Sequence, residues 1–329
     1  MYERAAAEKQ DLDELVINKQ LEKVITYVDD VILSFDSEKE ISPGTRNSYI
    51  NDLLNFLRWC SNRYCRGKYN SVIEDRLDSY RIKATTFQNN IKSLNENEES
   101  LLREFIFPSS DKNPFRANVK FRNWLIIETF MQTGMRLSEL LRVCSSDLYK
   151  LGSNYYIRVS DSNQTDSRAR RPSLKNSYSK RTLSISEDIY FGLEHYIKNL
   201  RRPIRSGHPI KLSHGFVFVS ERGSPLAKTS IAEMILSLNK RIKSRHKEFP
   251  KISPHTFRHT FAERFLSSLI DFQGYDMERA KDILRSYCGW STDSPMPVFY
   301  TKRYISVKAN RENLVRVENS KMRLSHKRL

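Results

Sequence analysis

The feature that most constrains the fold is a break in helical periodicity between Phe107 and Val119. Apolar residues recur at helical spacing on either side, whereas the intervening PSSDKNPFRAN contains two prolines and several turn-forming residues. A regular helix does not continue through such a segment, because proline removes a backbone donor and crowds the preceding turn. We therefore predict a helical domain over residues 1–108, a linker over 109–118 and a second domain over 119–329 with a basic C-terminal tail.

The clearest helix of the first domain is the stretch SPGTRNSYINDLLNFLRWC. Ser42 and Pro43 mark its start, because serine caps helices and proline suits their first turn. An apolar stripe at helical spacing is predicted to pack in the core, and it consists of Tyr49, Leu53, Phe56, Leu57 and Cys60. Arginines of the same stretch are candidates to face a phosphate backbone: Arg46, Arg58 and Arg63.

The second domain is predicted to combine helices with a small sheet. An apolar helix runs from Val119 to Gly134, and a turn leads to another helix over MRLSELLRV. The runs YYIRVS and KRTLSIS are rich in β-branched and aromatic residues and are predicted strands, separated by a long, basic, serine-rich connection. GFVFVS at 215–220 is predicted to be a further short strand. The fold class is therefore mainly α with a small β-sheet.

The chain carries a large excess of positive charge. Its 56 Lys and Arg residues outnumber 39 Asp and Glu residues, for a net charge of +17. This balance predicts a polyanionic partner, with nucleic acid as the leading candidate, although ribosomal and membrane-surface proteins share it. The four cysteines are scattered without zinc-ligand spacing, so we expect reduced thiols and no metal site.

Two features bear on the compartment. No apolar run reaches the length of about 18 residues that a membrane span needs. The N-terminal sequence MYERAAAEKQ lacks the apolar segment of a signal peptide. We therefore expect an intracellular protein.

The segment PHTFRHTFAERF is predicted to be a helix with chemically useful residues at its start. Ser253 is a plausible N-cap and Pro254 suits the first turn. His255 and Arg258 are three residues apart and therefore share a helix face. Taken alone, the pattern favours a capping or core histidine and a solvated arginine, so it identifies no activity.

Four motifs occur in a fixed order along the second domain: TGMRLSELL, KNSYSKRTLSI, PHTFRHTFA and CGW…FYTKRY. They resemble the motifs of tyrosine recombinases and phage integrases, a family of site-specific DNA recombinases with Xer-like and Cre-like members. The resemblance covers roughly 119–315, and the first domain resembles the family loosely, with TRNSYINDLLNFLRW as its best local match. It implies a SAM-like, helical DNA-clamping domain followed by an α+β catalytic domain. The connection between Leu266 and Leu284 is longer than the family's, which indicates an insertion near 267–283.

The resemblance implies catalytic roles for particular residues of these motifs. Arg136 matches the first catalytic arginine of the family, and Glu139 resembles the acidic residue that supports the site. His255 and Arg258 match the histidine and the second arginine of the HxxR motif. Trp290 stands where family members carry histidine or tryptophan.

The implied nucleophile and general acid each have a rival. Tyr300 follows Trp290 at about the family's spacing and resembles the nucleophile, while Tyr304 would share its helix face. Either tyrosine could instead be an aromatic core residue whose hydroxyl meets water. Lys175 resembles the mobile hairpin lysine of the family, and Lys180 in the same hairpin is the alternative.

Phosphodiester cleavage by tyrosine explains why such residues belong together. Negative charge increases on the phosphate in the transition state, and the guanidinium groups of Arg136 and Arg258 can stabilise it through bidentate hydrogen bonds. A tyrosine hydroxyl, whose ordinary pKa is about 10, must lose its proton during attack, and His255 with the arginines can assist. Trp290 offers an indole N–H to a phosphate oxygen. The resemblance implies lysine as the acid for the leaving 5′ oxygen, with no metal or cofactor.

The resemblance therefore implies a site-specific recombinase of the integrase or transposase type, which acts through a covalent 3′-phosphotyrosyl intermediate and a Holliday junction. It further implies double-stranded DNA with specific recombination sites, a homotetramer, accessory DNA-bending proteins and a cytoplasmic, nucleoid-associated location. The nearest alternative is a type IB topoisomerase or telomere resolvase, which uses similar chemistry. A catalytically silent DNA-binding regulator is the alternative from another class.

Overall fold

The computed structural model describes residues 23, 26–27, 43–64, 75, 77–81, 93–161 and 166–326. The chain divides into two compact units, residues 1–89 and residues 90–329. The predicted N-cap Ser42, the side chains of Cys60 and Cys65, and the side chains of the basic tail lie outside the described residues. Across the described ranges, no helix combines the length and the apolar character needed to span a membrane.

The first unit contains the helix predicted from its apolar spacing, α1 (Pro43–Tyr64). Its buried face differs in part from the predicted one: Leu57 is buried as predicted, but Ile50 and Leu54 are buried with it, whereas Tyr49 and Phe56 are exposed. Two apolar stripes overlap in this sequence, and positions 50, 54 and 57 follow helical spacing as well as the predicted set does. The aliphatic stripe therefore packs inward and the aromatic one faces solvent.

The second unit is mainly helical. Its helices are α2 (Glu96–Ile106), α3 (Ala117–Thr133), α4 (Leu137–Leu140), α5 (Glu187–His195), α6 (Lys228–Lys243), α7 (Pro254–Ser267), α8 (Met277–Cys288) and α9 (Met296–His326). A π-helical turn extends α5 over Tyr196–Leu200, and another extends α7 over Ser268–Phe272. The predicted fold class, mainly α with a small β-sheet, is confirmed.

The predicted break in helical periodicity is confirmed between α2 and α3. Asn113 within this segment is buried, and its Nδ2 donates to the carbonyl oxygens of Ile106 at 2.9 Å and Phe107 at 3.1 Å. These carbonyls lie at the end of α2, where helical partners are missing. The division into units falls at residue 89, before α2, and the domain boundary at 109–118 stays a prediction.

The sheet contains the two predicted strands and one that was not predicted. Strands β1 (Leu148–Leu151), β2 (Asn154–Val159) and β3 (Arg181–Ile185) pair antiparallel in that order. Tyr155 lies opposite Ile185, and Val159 lies opposite Arg181. Buried side chains alternate along β2 and β3, as expected for a sheet with one face on the core. Strands β4 (Ile204–Arg205) and β5 (His208–Pro209), of two residues each, form a separate antiparallel hairpin.

The prediction of a strand over GFVFVS is wrong. Residues 216–219 are consecutively buried rather than alternating, and the segment makes only isolated bridges, from Phe216 to Cys144 and from Val219 to Pro225. Its backbone groups bond with several separate segments: the Val217 N–H, for example, donates to the Val143 carbonyl at 2.8 Å. A continuous apolar run therefore marked burial here and not sheet pairing.

Helix α3 ends where the sequence predicts, and this ending shapes the start of the site. Gly134 adopts a left-handed conformation with φ of 58°, and its N–H donates to the Phe130 carbonyl. A Cβ atom at this position would lie 2.8 Å from Cγ of Phe261, a side chain of α7. Helices α3 and α7 can therefore approach this closely because residue 134 lacks a side chain.

We expect Gly134→Ala to lower the free energy of unfolding by about 2–4 kcal/mol, because left-handed backbone strain adds to overpacking against Phe261. Urea unfolding followed by circular dichroism measures this loss. Gly152→Ala is the matched control, since Gly152 has φ of 60° but no heavy atom within 4 Å of the added Cβ. The control should lose only the strain, about 1–2 kcal/mol. Equal losses in both variants would contradict the close-approach argument.

Candidate active site

Arg136 is positioned by a single helical turn that follows α3. It is the N-cap of α4, and its backbone N–H donates to Oε2 of Glu139 at 2.8 Å. Its guanidinium Nη1 donates to Oε1 of the same carboxylate at 2.7 Å. Glu139 therefore fixes both the backbone and the side chain of Arg136.

Three arginines converge on the C-terminal end of α8. Arg181 Nε donates to the carbonyl of Tyr287 at 2.6 Å, Arg258 Nη2 to that of Cys288 at 2.5 Å, and Arg136 Nη2 to that of Gly289 at 3.0 Å. We call residues Tyr287–Gly289 the arginine-capped turn. Helix-terminal carbonyls lack intrahelical partners and carry partial negative charge, so they are suitable acceptors for buried cations.

Gly289 allows this convergence. It has φ of 62°, and a Cβ at this position would lie 2.8 Å from the backbone oxygen of Tyr178 and 2.9 Å from Nη1 of Arg181. The left-handed backbone is available to glycine at low cost. The chain therefore reverses directly after α8, which leads into Trp290.

The carboxylate of Glu139 is shared by two arginines. It is almost fully buried, and Arg181 Nη2 donates to its Oε2 at 3.0 Å while Arg136 pairs with Oε1. Burial alone would raise the pKa of Glu139, but the guanidinium of Arg181 and the bonds from Arg136 hold that pKa below its usual value. Glu139 is consequently ionised and fixes the relative positions of the two arginines.

Arg258 and the proposed nucleophile lie against the same indole ring. The guanidinium carbon of Arg258 is 5.1 Å from the centroid of the Trp290 ring, and the Tyr300 ring stacks on Trp290 with centroids 5.6 Å apart. Arg258 is buried, and its Nη1 also donates to the Gly134 carbonyl at 2.7 Å. The end of α3, the arginine-capped turn and α9 thus meet around Trp290.

Tyr300 is buried, and its hydroxyl is held by a histidine that the sequence analysis did not identify. Only 1% of its surface is exposed, and its hydroxyl hydrogen-bonds with Nδ1 of His259. Burial, followed by the negative charges that Cys288 and Glu263 would carry, raises the pKa of Tyr300 well above its ordinary value. The phenol is therefore protonated at neutral pH.

His255 and His259 lie one turn apart on α7, and their ring centroids are 6.3 Å apart. His255 is exposed as a residue, yet desolvation of its ring and the charges of Arg258, Arg136 and Lys175 lower its pKa. For His259, burial and then the charges of His255, Arg258 and Arg303 lower the pKa to about 4. Both imidazoles are therefore mainly neutral at physiological pH.

The two candidate lysines have different surroundings. Lys180 Nζ pairs with the Asp161 carboxylate at 2.5 Å across the β2–β3 connection. Lys175 is exposed, and its charge contributes to the lowered pKa of His255. Lys175 therefore contributes to the electrostatic environment of His255, whereas Lys180 pairs with Asp161 and lines a pocket with Gly289 and Trp290.

The segment that carries Lys175 is tied to the arginines by Ser179. The hydroxyl of this buried serine donates to the Asn176 side chain at 3.1 Å and accepts from Arg136 Nη1 at 3.4 Å. Its carbonyl accepts from Arg181 Nη1 at 2.7 Å. Lys175 therefore lies on a short segment, residues 175–179, whose C-terminal end is held by hydrogen bonds to Arg136 and Arg181.

The side chain of Arg168 also attaches the long β2–β3 connection to the core of the second unit. Arg168 is nearly buried, pairs with Asp166 at 2.6 Å, and lies over the Phe216 ring. Its Nη1 donates to the carbonyls of Leu141 at 3.0 Å and Leu226 at 2.9 Å. Part of the basic character of this segment thus has a structural role.

Tyr304 lies on the same helix as Tyr300 but has other partners. Its hydroxyl donates to Oδ1 of Asp271 at 2.6 Å, and Lys308 donates to the same oxygen at 2.6 Å. Asp271 belongs to the π-helical turn after α7, within the region where the sequence indicates an insertion. The insertion therefore contacts α9, and Tyr304 is directed toward it.

Nothing in the described ranges groups three or more histidine, cysteine or acidic side chains in a way that could bind a metal ion. Cys144 and Cys288 are buried and are not joined in a disulfide. Burial raises the pKa of Cys288, so the thiol is neutral despite the arginines around it.

The structure thus brings Arg136, Arg258, Trp290 and Tyr300 together around one turn, with His255 and Lys175 nearby. Two further residues, Arg181 and His259, were missed. A signal for Arg181 was available, because it shares the buried face of β3 with Leu183 and Ile185. His259 follows Arg258 directly, and its significance depends on a contact with a residue 41 positions later.

A comparison with known proteins identifies the family to which this chain is similar. The phage integrase family model matches residues 110–277, which is just over half of the chain. The match ends before Trp290 and Tyr300, so their assignment rests on the sequence motif and on the contacts described above.

Several curated relatives are tyrosine recombinases. XerD of Halalkalibacterium halodurans is 27% identical over 173 residues, which are 53% of this chain and 47% of the relative. XerD of Chlamydia muridarum is 27% identical over 157 residues, which are 48% and 44% of the two chains. XerC of Pelotomaculum thermopropionicum is 23% identical over 285 residues, which are 75% and 87%. The chain thus spans less than half the length of the first two relatives.

Solved structures share the fold. The Tn1549 transposon integrase in complex with a circular intermediate DNA has a TM-score of 0.56 at 20% identity, covering 82% of this chain and 78% of that one. The XerH site-specific recombinase bound to difH substrate has a TM-score of 0.53 at 17% identity, with coverages of 84% and 67%. Because the family model matches more than half of this chain, the predicted family is confirmed: the chain belongs to the phage integrase family of tyrosine recombinases.

Proposed function

We propose that this protein is a site-specific recombinase that cleaves and rejoins DNA through a covalent 3′-phosphotyrosyl intermediate on Tyr300. The observation that carries the proposal is the convergence of Arg136 and Arg258 on consecutive carbonyls of the arginine-capped turn, next to a tyrosine packed on Trp290. Two fixed guanidinium groups beside a nucleophile are what phosphodiester cleavage requires without a metal ion.

The arginines bind the scissile phosphate and stabilise the charge that builds up on it. A guanidinium has five N–H donors, and the bonds of Arg258 to the Gly134 and Cys288 carbonyls use two of them. The remaining donors are available to non-bridging phosphate oxygens. Because both bonds go to neutral carbonyls, Arg258 keeps its full positive charge for the phosphate.

Lys175 protonates the leaving 5′ oxygen in this proposal. Its exposed position, within electrostatic range of His255, supports the assignment. The ion pair of Lys180 with Asp161 speaks against the alternative, because a paired lysine must break that contact before it can reach DNA. His255 faces the phosphate as a donor, and Trp290 contributes its indole N–H.

The partner is double-stranded DNA that carries specific recombination sites. Two structurally similar proteins, the Tn1549 integrase and XerH, are bound to DNA in their solved structures, and the net charge of +17 agrees with this partner. We further propose a homotetramer on two sites, with accessory DNA-bending proteins, acting in the cytoplasm on the nucleoid. Integration or transposition of a mobile element is the process that we assign to it.

The direct test is to trap the covalent complex. Duplexes that the purified protein retains from a random library define a site, and a nicked version of that site lets the short cleaved fragment diffuse away, so that the adduct accumulates. Peptide mapping then identifies the modified tyrosine. Joint molecules from two duplexes indicate recombination, whereas relaxed circles or hairpin ends without joint products would identify a topoisomerase or resolvase. Binding without any adduct would identify a regulator.

We expect Tyr300→Phe to abolish the covalent adduct while DNA binding stays nearly unchanged, because the substitution removes only the attacking oxygen. Denaturing gels measure the adduct and gel shifts measure binding. Tyr304→Phe is the matched control and should still form the adduct, since the Tyr304 hydroxyl bonds with Asp271. An adduct that persists in Tyr300→Phe and disappears in Tyr304→Phe would transfer the role to Tyr304.

We expect Arg258→Ala to slow cleavage of the nicked duplex by about 10²–10³-fold, since one transition-state donor is lost. Arg258→Lys, which keeps a charge but not the planar pair of donors, should also be slow. Arg264→Ala on the same helix is the control and should cleave normally, because Arg264 pairs with Glu99 and not with the turn. A merely tenfold loss in a folded Arg258→Ala would reduce this residue to DNA positioning.

We expect Lys175→Ala to slow cleavage of an ordinary duplex by about 10²-fold or more, as loss of a general acid does. The same variant should cleave a 5′-bridging phosphorothiolate duplex at nearly the wild-type rate, because a thiolate leaves without protonation. Lys180→Ala is the matched control and should behave like the wild type on both substrates. The reverse pattern would make Lys180 the acid.

A further inference from the structure

His259 lies at a position where it can act directly on the nucleophile. It is half-buried on α7, and its Nδ1 hydrogen-bonds with the hydroxyl of Tyr300 on α9. The two ring centroids are 6.0 Å apart. Among the described residues, the hydrogen-bond partner of the Tyr300 hydroxyl is thus His259, while His255 lies one turn earlier on α7.

We propose that His259 Nδ1 accepts the proton of the Tyr300 hydroxyl when the tyrosine oxygen attacks the scissile phosphate. This inference rests on the proposed function and adds a catalytic residue to it. It also separates the two histidines, because His255 is then left to donate to the phosphate.

The packing around Tyr300 fixes its hydroxyl against His259. The Tyr300 ring stacks on Trp290 with an interplanar angle of 20°, and Phe299 contacts it edge-on at 5.7 Å. With the ring immobilised, the hydroxyl has a defined position, and a proton acceptor must be within hydrogen-bonding distance to assist. His259 meets this requirement.

The charges around His259 suit a base that becomes stronger when DNA binds. Burial lowers its pKa most, and His255 and Arg258 on α7 and Arg303 on α9 lower it further, so the imidazole is neutral and can accept a proton. With the proton on Nε2, the lone pair of Nδ1 faces the tyrosine hydroxyl. A phosphate that binds to Arg258 adds negative charge nearby, which offsets the cations and favours protonated His259.

The proton and the bonds balance in each direction. In cleavage, the tyrosine oxygen forms a bond to phosphorus, its proton moves to His259 Nδ1, and the 5′ oxygen leaves with the electron pair of the broken bond and a proton from Lys175. In rejoining, a 5′ hydroxyl attacks the phosphotyrosine and returns its proton to Lys175, while the tyrosine oxygen leaves and recovers its proton from His259. No co-reactant is consumed.

The test combines His259→Asn with a more acidic nucleophile. The asparagine amide can accept a hydrogen bond near the position of Nδ1 but cannot take up the proton. We expect His259→Asn to form the adduct about 10²–10⁴-fold more slowly than the wild type on the same nicked duplex. Incorporating a fluorinated tyrosine at position 300, whose phenol ionises more readily, should restore at least about tenfold of that loss.

His255→Asn is the matched control, since it lies one turn away on the same helix. Its cleavage should also be slow, but the fluorinated tyrosine should not restore it, because a phosphate donor is missing rather than a base. His259→Gln and His259→Ala serve as second variants, and thermal unfolding with gel shifts verifies that each folds and binds DNA. A merely structural role for His259 would give slow cleavage in all variants without restoration by fluorination.

The outcomes separate the inference from the function on which it rests. If the wild-type protein forms no adduct, the recombinase proposal fails and the role of His259 fails with it. If the wild type forms the adduct and folded His259→Asn cleaves within about threefold of it, only the role of His259 is wrong. Restoration of His255→Asn in place of His259→Asn would make His255 the proton acceptor.

Discussion

The site depends on hydrogen bonds from three guanidinium groups, of which that of Arg258 is buried, to three consecutive carbonyls at the end of α8. Buried cations need partners, and a carboxylate for each would cancel the charge that a phosphate must encounter. Backbone carbonyls are neutral, so they satisfy the N–H groups and leave most of the positive charge in place. Glu139 is the carboxylate that pairs with Arg136 and Arg181, and it orients them while the group retains a net positive charge.

The same bonds join distant parts of the second unit. Arg136 follows α3, Arg181 lies on β3 and Arg258 lies on α7, so the end of α8 connects the sheet with two helices. Trp290 comes directly after the arginine-capped turn, and the ring of Tyr300, which belongs to α9, stacks on it. Gly289 therefore links the carbonyls that the arginines bind to the tryptophan on which Tyr300 packs.

Local sequence signals, such as helix-capping residues, predicted part of this arrangement. Ser253 accepts from the Thr256 N–H and Pro254 occupies the first turn of α7, as their residue types indicate, and Gly134 ends α3 in the left-handed conformation. Long-range pairing was not predictable in this way. Arg181 bonds to a carbonyl 106 residues later, and His259 to a hydroxyl 41 residues later. A periodicity indicates that an element has a buried face, but in α1 it did not decide between two overlapping stripes, and it does not identify what the buried face meets. The continuous apolar run GFVFVS likewise indicated burial and was mistaken for a strand.

The net charge likewise does not show which arginines can bind DNA. An excess of arginine predicts a polyanionic partner, yet Arg136, Arg168, Arg181 and Arg258 all donate to backbone carbonyls inside the protein. Arg168 serves the fold, because its bonds hold the β2–β3 connection against the core. Arg136 and Arg258 differ in what lies beside them: each has donors left over, and a buried tyrosine is packed on the same indole as Arg258. The position of its remaining donors, and not the number of arginines, decides whether an internal arginine can act on DNA.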